Sequence, residues 1–208
     1  MSKLSVNSLV LSPRNDDDDK DVQFSSQDSL NGRMHLLEII QSPLRSAAFG
    51  SSYYSRLPLA PPLVVRLLVK NTDGKYIDIH DELPFYVCHA SLLSEDGSKK
   101  LDFTQLNDEP ESAPVRMLYG GLVTTPYVVR GEVVFPFTDL GVRLTVIYYR
   151  PGSDISSSTA SETLSTAISD TFEIVDLDDY EAPAITNLSY ELHSAGVPVQ
   201  MPSQQHSI

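Results

Sequence analysis

The feature that most constrains this chain is a series of short apolar runs, each closed by proline or by a glycine-containing turn. Around Met34 an apolar alternation begins, with Leu37 and Ile39 followed by Gln41 before Pro43, and residues 63–69 form a strongly apolar run that begins after Pro62. Period-two alternation is typical of a half-buried strand, whereas a short continuous apolar run suits a strand buried on both faces. The sequence therefore predicts a domain built mainly from β-strands.

Turn signals separate the further strands that this pattern predicts. Gly74 closes a turn at residues 71–74 and Gly97 closes a turn at residues 95–97, and both glycines can adopt positive φ. Further strands are predicted at residues 84–93, 115–125, 127–137, 142–149 and 172–175. Many short strands with regular turn signals favour two packed sheets.

One segment near the C-terminus has helical spacing. Ile185, Leu188 and Leu192 fall on one face, Thr186 is placed to cap the first turn, and Gly196 ends the run. A helix this short is expected to dock on its own sheet. The predicted fold class is thus all-β, a β-sandwich with a short C-terminal helix.

Composition divides the chain into a folded body and polar flanks. Residues 1–33 are polar and include an acidic run at 16–19, so they bury little apolar surface and are predicted to be disordered. Eleven of the nineteen residues at 153–171 are Ser or Thr, which predicts a flexible loop within the domain. The sequence thus predicts one domain at residues 34–200, followed by a disordered tail at 201–208.

The charge of the chain is negative and unevenly distributed. Its 15 Lys and Arg face 28 Asp and Glu, a formal net charge of −13. Every Lys and Arg lies at or before Arg150, and residues 151–208 hold nine acids. Because polyanions are attracted by basic surfaces, this balance argues against a generally basic nucleic-acid or membrane-surface protein. Any surface that contacts DNA must come from residues 1–150.

The residue pattern does not assemble a catalytic or metal-binding site. The single cysteine, Cys88, cannot form an internal disulfide or a cysteine-built zinc site. Its neighbour His89 points to the opposite face of a strand, so the two cannot act as a nucleophile and its base. The five histidines lack metal-ligand spacing, and no apolar stretch approaches the roughly 18 residues of a membrane span. We therefore expect no enzyme, no metal, no cofactor and a location inside the cell.

Six segments, taken in order, resemble the velvet family of fungal regulators. They are LEIIQSPLR at residues 37–45, RLPLAPPLVVRL at 56–67, YVCHASL at 86–92, LYGGLV at 118–123, FPFTDLGVR at 135–143 and LSYELHSAGVPV at 188–199. Each segment is a weak signal alone, but their order and spacing over roughly residues 34–200 make the resemblance specific. The chain therefore resembles a divergent member of that family.

This resemblance implies a fold similar to the Rel homology domain, an immunoglobulin-like sandwich that dimerises with itself or with a velvet relative and binds double-stranded DNA. It implies action in the nucleus and cytoplasm of fungi, where the family ties sporulation and secondary metabolism to light and other signals. The expected partner is another velvet-family protein, in a homodimer or a heterodimer. Neither a membrane nor a small-molecule substrate is expected.

The basic residues inside the matched segments are the candidates for DNA contact, namely Arg45, Arg56, Arg66 and Arg143. The alternative for each is an ordinary surface arginine whose aliphatic stem packs on the sandwich. Residues 51–55 carry no Lys or Arg where family members place several, and each lost cation removes a phosphate contact. The resemblance thus implies a transcriptional regulator whose DNA binding depends on a velvet partner.

Candidate partner-binding residues come from two segments. Pro58, Pro61 and Pro62 stiffen the approach to the apolar run, and they form part of a partner surface, a rigid entry to the strand, or both. Asp178 and Asp179 lie in an acidic stretch that would meet a basic partner surface. The alternative function is therefore a protein-interaction module that has lost DNA contact and acts by sequestering or localising its partner.

Overall fold

The structure is a computed structural model that describes residues 2–8, 24–25, 27–28, 32–48, 57–104, 115–142 and 164–201. Sixteen strands are assigned within these residues. They are β1 (Ser2–Ser8), β2 (Phe24–Ser25), β3 (Gln27–Asp28), β4 (Arg33–Gln41), β5 (Arg45–Ala48), β6 (Leu63–Lys70), β7 (Cys88–His89), β8 (Ser91–Leu93), β9 (Phe103–Thr104), β10 (Val115–Arg116), β11 (Leu118–Gly120), β12 (Val123–Thr124), β13 (Tyr127–Val129), β14 (Glu132–Phe137), β15 (Leu140–Val142) and β16 (Ser165–Asp176). Short 3-10 helices span His80–Phe85 and Leu177–Asp179, and the α-helix α1 spans Asn187–Ser194.

Most of these strands lie in two sheets. The first sheet has the order β11-β15-β5-β16-β1-β8, and β2 also pairs with β16. In this sheet β5 runs parallel to both β15 and β16, so the sheet is mixed. The second sheet is antiparallel, in the order β13-β14-β6-β4-β3. Two small pairs, β9 with β10 and β7 with β12, accompany them.

Strand β6 takes part in two hydrophobic cores because its first residues, 63–65, are buried on both faces. Leu63, Val65 and Leu67 belong to the core between the sheets, whereas Val64 belongs to a second core on the outer face. The first sheet contributes to the core between the sheets through Leu92, Leu118, Leu140, Phe172 and Ile174. Burying one such side chain contributes about 1.5–3 kcal/mol, so the sheets are held together by this shared core. The predicted β-sandwich and the buried strand at 63–69 are both confirmed.

The outer face of the second sheet carries the C-terminal helix. Leu192 and Val197 pack there against Val64 and Val134. Thr186 begins the helix, and its hydroxyl accepts a hydrogen bond from the backbone N–H of Ser189 at 3.1 Å. The predicted helix, with its cap at Thr186, is confirmed.

The helix ends in a Schellman motif. Gly196 adopts φ +84°, and its N–H donates to the carbonyl oxygen of His193. The next N–H, of Val197, donates to the carbonyl oxygen of Leu192 at 3.0 Å, and these two side chains share the second core. This pair of hydrogen bonds with an apolar contact satisfies the last carbonyls of the helix, and it explains why Gly196 ends it.

Three strands predicted from the sequence are shorter or divided in the structure. Residues 84–85 belong to a 3-10 helix rather than to the strand predicted at 84–93, and Pro84 lacks the N–H that a sheet ladder needs. The strand predicted at 115–125 is divided into β10, β11 and β12. The strand predicted at 142–149 is described only at Val142, and its remaining residues lie outside the described part of the chain.

The strand predicted at 127–137 is a hairpin. Arg130 and Gly131 separate β13 from β14, and both have positive φ, 54° and 80°. A two-residue turn with positive φ at both positions matches the right-handed twist of the flanking strands. Arg130 is an unfavourable residue for this conformation, so the local sequence contains little that indicates the turn.

The prediction of a flexible loop at 153–171 is wrong for Ser165–Thr171, because these residues lie in β16. Ser165, Ala167 and Ser169 are buried at every second position, whereas Ile168 is exposed. The small residues on the inward face allow this strand to pack closely against the core. Composition alone indicates a polar loop and does not reveal this alternation. Residues 153–163 lie outside the described part of the chain.

The disorder predicted for residues 1–33 also differs from the structure at its first strand. Ser2–Ser8 pairs antiparallel with β16 on one side and with β8 on the other. The segment alternates polar and apolar residues, which suits a strand. The prediction of disorder rests instead on the polar composition of the whole region and on the acidic run at 16–19. Most of the remaining residues to 31, and the tail predicted at 201–208 beyond Met201, lie outside the described residues.

Replacing Gly120 with alanine should destabilise the fold strongly. Gly120 has φ +105°, and an added Cβ would overlap the backbone carbonyl of Asp139. Alanine is strained at this φ and the obstructing atoms are backbone, so we expect a loss of at least about 2 kcal/mol in the free energy of unfolding. Urea denaturation followed by circular dichroism measures it.

The neighbouring Gly121→Ala variant is the matched control for Gly120→Ala. Nothing lies within 4 Å of a Cβ built at Gly121. We expect its unfolding free energy to stay within about 0.5 kcal/mol of the parent protein. Equal effects of the two substitutions would contradict the close approach of the chain at Gly120.

Candidate functional site

Arg45 is predicted to contact DNA, but its guanidinium holds an internal carboxylate. The side chain lies on β5 beside Glu173 of β16, its partner across the ladder. Arg45 Nη2 is 2.7 Å and Nε is 3.0 Å from Glu173 Oε2. The two side chains are about one third and one fifth exposed, so the pair is partly shielded from solvent. Arg45 thus fits a structural role in joining β5 to β16.

Arg66 is held even more closely, by two carboxylates on the strands to either side. It lies opposite Glu38 of β4 in the antiparallel register, and its Nε donates to Glu38 Oε2 at 3.1 Å. A second guanidinium nitrogen donates to Glu132 of β14. The hydrogen bond that Arg66 donates to Glu38 raises the pKa of the Arg66 guanidinium. Its charge is largely neutralised by these neighbouring acids.

The four predicted DNA-contacting arginines do not form one described surface. Arg45 lies in the first sheet and Arg66 in the second, and each is ion-paired with residues of its own sheet. Arg56 and Arg143 lie outside the residues whose side chains are described. A phosphate would have to displace a carboxylate at Arg45 or at Arg66 before it gained a contact. The geometry of these two arginines favours the surface alternative.

Replacing Arg66 with glutamine tests its structural role. The change leaves Glu38 and Glu132 on one face without their cation, so we expect a loss of about 1 kcal/mol in unfolding free energy at low salt. The loss should shrink in 1 M NaCl, at a Debye length of about 3 Å. Chemical denaturation at both salt concentrations measures it.

The control for Arg66→Gln is Lys75→Gln, which removes the same charge from an exposed side chain. We expect that variant to change the unfolding free energy by less than about 0.5 kcal/mol. If the two variants lose equal stability, the ion pairs of Arg66 contribute nothing beyond its charge.

The proline-bearing segment 57–62 links the two sheets. Leu59 N–H donates to the carbonyl oxygen of Leu140 at 2.6 Å, and Ala60 exchanges backbone hydrogen bonds with Arg45. The carbonyl oxygen of Pro62 accepts a hydrogen bond from the side-chain amide of Gln41 at 2.8 Å. The segment then continues directly into β6. Its position is therefore fixed on both sides, as the prediction of a rigid entry to the strand requires.

The same segment forms one wall of a groove of about 700 Å³, which we call the proline groove. Pro58, Pro61 and Pro62 line it. The opposite wall comes from Tyr180, from residues 182–185, from α1 and from residues 199–201. All three prolines that are predicted to bind a partner thus lie in the lining of one concave surface, where Pro58 is partly exposed and Pro61 and Pro62 are buried.

The acidic stretch adjoins the proline groove. Asp178 and Asp179 lie in the 3-10 helix Leu177–Asp179, immediately before Tyr180, which lines the groove. Both carboxylates are exposed. The two groups of predicted partner-binding residues, more than a hundred positions apart in the sequence, thus meet at one place on the surface.

The proline groove also contains two tyrosines that the sequence pattern does not single out. Tyr180 is partly buried, and burial raises the pKa of its phenol while the nearby Arg45 opposes that shift. Tyr190 is 53% exposed on α1. It lies off the apolar face of Leu188 and Leu192, and an aromatic residue on the polar side of a short helix is the signal that could have identified it.

A small hydrogen-bond network positions the helical wall of the proline groove. The Thr186 hydroxyl donates to Gln41 Oε1 at 2.5 Å and lies 2.9 Å from the Ser189 hydroxyl. Gln41 is itself bonded to Pro62, so the network joins the start of α1 to the proline segment. The two walls of the groove are therefore coupled through buried polar groups.

Replacing Thr186 with alanine should loosen this wall. The substitution removes the helix cap and leaves the buried Gln41 carbonyl without this donor, so we expect a loss of about 1–2 kcal/mol in unfolding free energy. Thr186→Ser keeps the hydroxyl and should lose less than half as much. Urea denaturation compares the two, and equal losses would assign the effect to the methyl group instead.

Other chemistry is not assembled among the described residues. Cys88 is buried and its neighbour His89 is exposed, so the predicted placement on opposite faces is confirmed. No group of three His, Cys, Asp or Glu side chains in the described part of the chain could hold a metal ion. Within the same residues no helix is both long and apolar enough to cross a membrane.

Comparison with known proteins finds similarity to one family. The family model described as Velvet factor matches residues 35–112, which run from β4 to just beyond β9. This range includes the proline segment, Arg45 and Arg66, whereas Asp178 and Asp179 lie beyond it.

Curated relatives match in the same way. The chain is 33% identical over 76 residues to the Velvet complex subunit RYP3 of Ajellomyces capsulatus, which covers 36% of this chain and 20% of the relative. It is 30% identical over 106 residues to Velvet complex subunit 2 of Hypocrea jecorina, 50% of this chain and 21% of the relative. It is 30% identical over 126 residues to the Sexual development regulator velC of Gibberella moniliformis, 57% and 26%. The chain thus spans about a quarter or less of the length of these relatives.

Proposed function

We propose that this chain, a divergent member of the velvet family, is a non-catalytic subunit of a velvet-type complex that regulates fungal development. The family assignment rests on the match over residues 35–112 and on the curated relatives. Support for the role comes from the names that those relatives carry, Velvet complex subunit and Sexual development regulator. We propose further that the chain pairs with another velvet protein and acts in the nucleus and cytoplasm, in the control of sporulation and secondary metabolism.

The proposal assigns DNA contact to the complex rather than to this chain alone. The observation that carries it is the pairing of both described candidate arginines with acids, Arg45 with Glu173 and Arg66 with Glu38 and Glu132. Phosphate binding gains free energy when protein cations replace the counterions of DNA, which are then released. Cations that are already ion-paired within the protein contribute less to this exchange. A net charge of −13 opposes the approach of a polyanion further. A velvet partner would supply the missing basic surface.

Fluorescence anisotropy with labelled duplex DNA tests this division of roles. The chain alone should show no salt-dependent binding, whereas its co-purified complex with a velvet partner should bind DNA and lose affinity between about 50 and 200 mM salt. The partner alone serves as the control. Size-exclusion chromatography of the co-expressed proteins establishes whether the complex forms.

Two outcomes of the titration and the co-expression experiment would contradict the proposal. Tight, salt-dependent binding by the chain alone would show that its own arginines suffice for DNA contact. Failure of every candidate velvet protein to co-purify with the chain would remove the pairing.

A second candidate function is a protein-interaction module that has lost DNA contact and sequesters or localises its partner. The observation in its favour is that the last 58 residues hold nine acids and no Lys or Arg, and include the exposed Asp178 and Asp179 beside the proline groove. The same titration separates the two functions. A stable complex that binds DNA no better, or less well, than the partner alone would establish the second one.

A further inference from the structure

We infer that the proline groove binds an extended, proline-containing segment of a partner protein that carries Lys or Arg beside its apolar anchor. The inference rests on the proposed function of the chain as a subunit that binds protein partners, and it names the chemistry of one such contact. Three properties of the described residues support it: the uncharged lining, the absence of backbone donors at the proline positions, and the acids at the rim.

The lining of the proline groove is apolar and aromatic. Four prolines, Pro58, Pro61, Pro62 and Pro183, lie in its walls together with Tyr180 and Tyr190. None of the described residues that line it carries a formal charge. A concave site of about 700 Å³ with an apolar lining and a few hydroxyl groups has the size and character of a ligand-binding cleft.

The prolines restrict how a peptide can bind in this cleft. A proline has no backbone N–H, so this wall offers few donors for the addition of a further β-strand. A polyproline II segment has a backbone that remains hydrated and needs no ladder of hydrogen bonds. Such segments dock in grooves lined by aromatic residues, and the two tyrosines supply flat apolar faces with hydroxyl groups at their ends.

The rim of the groove selects the charge of the ligand. Asp176, Asp178, Asp179 and Glu181 are all exposed around the 3-10 helix that leads into Tyr180. The residues described at 164–201 include no Lys or Arg, and the nearby Arg45 is committed to Glu173. A cluster of carboxylates that form no ion pair with a described basic residue attracts a basic segment and repels nucleic acid. Charge complementarity therefore favours a peptide with Lys or Arg beside its apolar anchor.

Fluorescence anisotropy with synthetic peptides and the full chain tests the inference. The probe is a fluorescein-labelled peptide of sequence RRPLPALPR. One comparison peptide replaces its arginines with glutamate, and another replaces its prolines and leucines with serine and glycine. We expect saturable binding of the probe below about 1 mM and at least tenfold weaker binding of both comparison peptides. The affinity should fall in 0.5 M NaCl because the rim contribution is screened.

Two substitutions with matched controls locate the binding at the groove. Tyr190→Ala removes an exposed ring of the lining and should weaken binding at least tenfold, whereas Tyr76→Ala removes a similarly exposed ring elsewhere and should have no effect. Asp178→Lys with Asp179→Lys should abolish the preference for the basic peptide. Asp73→Lys with Asp81→Lys makes the same change of net charge at exposed positions away from the groove and should leave it intact.

Each other outcome overturns the inference in a distinguishable way. Absence of saturable binding, or binding that survives Tyr190→Ala and the rim reversal, would show that the groove is not the site. Dimerisation of the chain that Tyr190→Ala disrupts, without peptide binding, would identify a second copy as the occupant. Duplex DNA binding that the rim reversal strengthens and Tyr190→Ala removes would identify nucleic acid. A velvet complex that forms normally while the peptide fails to bind would leave the proposed function standing and refute only this inference.

Discussion

The burial of β6 on both faces is the constraint on which the rest of the structure depends. Its alternate residues fill the core between the sheets, and Val64 anchors the second core beneath α1. Because Leu63 follows Pro62 directly, the position of β6 also fixes the end of segment 57–62. The two walls of the proline groove thus both depend on one strand, through the chain that enters it and the helix that packs on its outer face.

Ion pairing within the sheets determines how the surface charge can be used. Arg45 and Arg66 each lie opposite an acid on a neighbouring strand, so their charges stabilise strand pairing at partly shielded positions. The acids near Tyr180 have no such partners among basic residues of their own segment, since residues 151–208 contain neither Lys nor Arg. The described candidate cations, Arg45 and Arg66, are thus ion-paired within the sheets, whereas the acids at 176–181 are exposed and can contact a partner.

Sequence patterns predicted the elements that depend on local spacing. Alternation indicates β4, a continuous apolar run indicates β6, and the cap at Thr186 with the stop at Gly196 indicates α1, because each signal lies within a few residues of the element it controls. Composition gives the wrong prediction at the Ser- and Thr-rich stretch, because it indicates a loop where the alternation of buried Ser165 and Ala167 belongs to β16. The hairpin at Arg130 was missed because that residue is an unusual choice for positive φ.

The candidate site was predictable only in parts because it is assembled from segments distant in sequence. Pro58 and Asp179 were predicted independently to bind a partner, but nothing in the local sequence places the two segments side by side. Backbone pairing connects the two segments, because Arg45 of β5 pairs both with Ala60 of the proline segment and with Glu173 of β16, the strand that leads to Asp179. The mixed sheet thus connects the uncharged, proline-lined groove with the strand that leads to the exposed acids at 176–181. A surface of that composition is suited to a basic, proline-containing protein segment and unsuited to the phosphate backbone of DNA. Within the proposed complex, the proline groove is thus better matched to holding a protein partner than to contacting DNA.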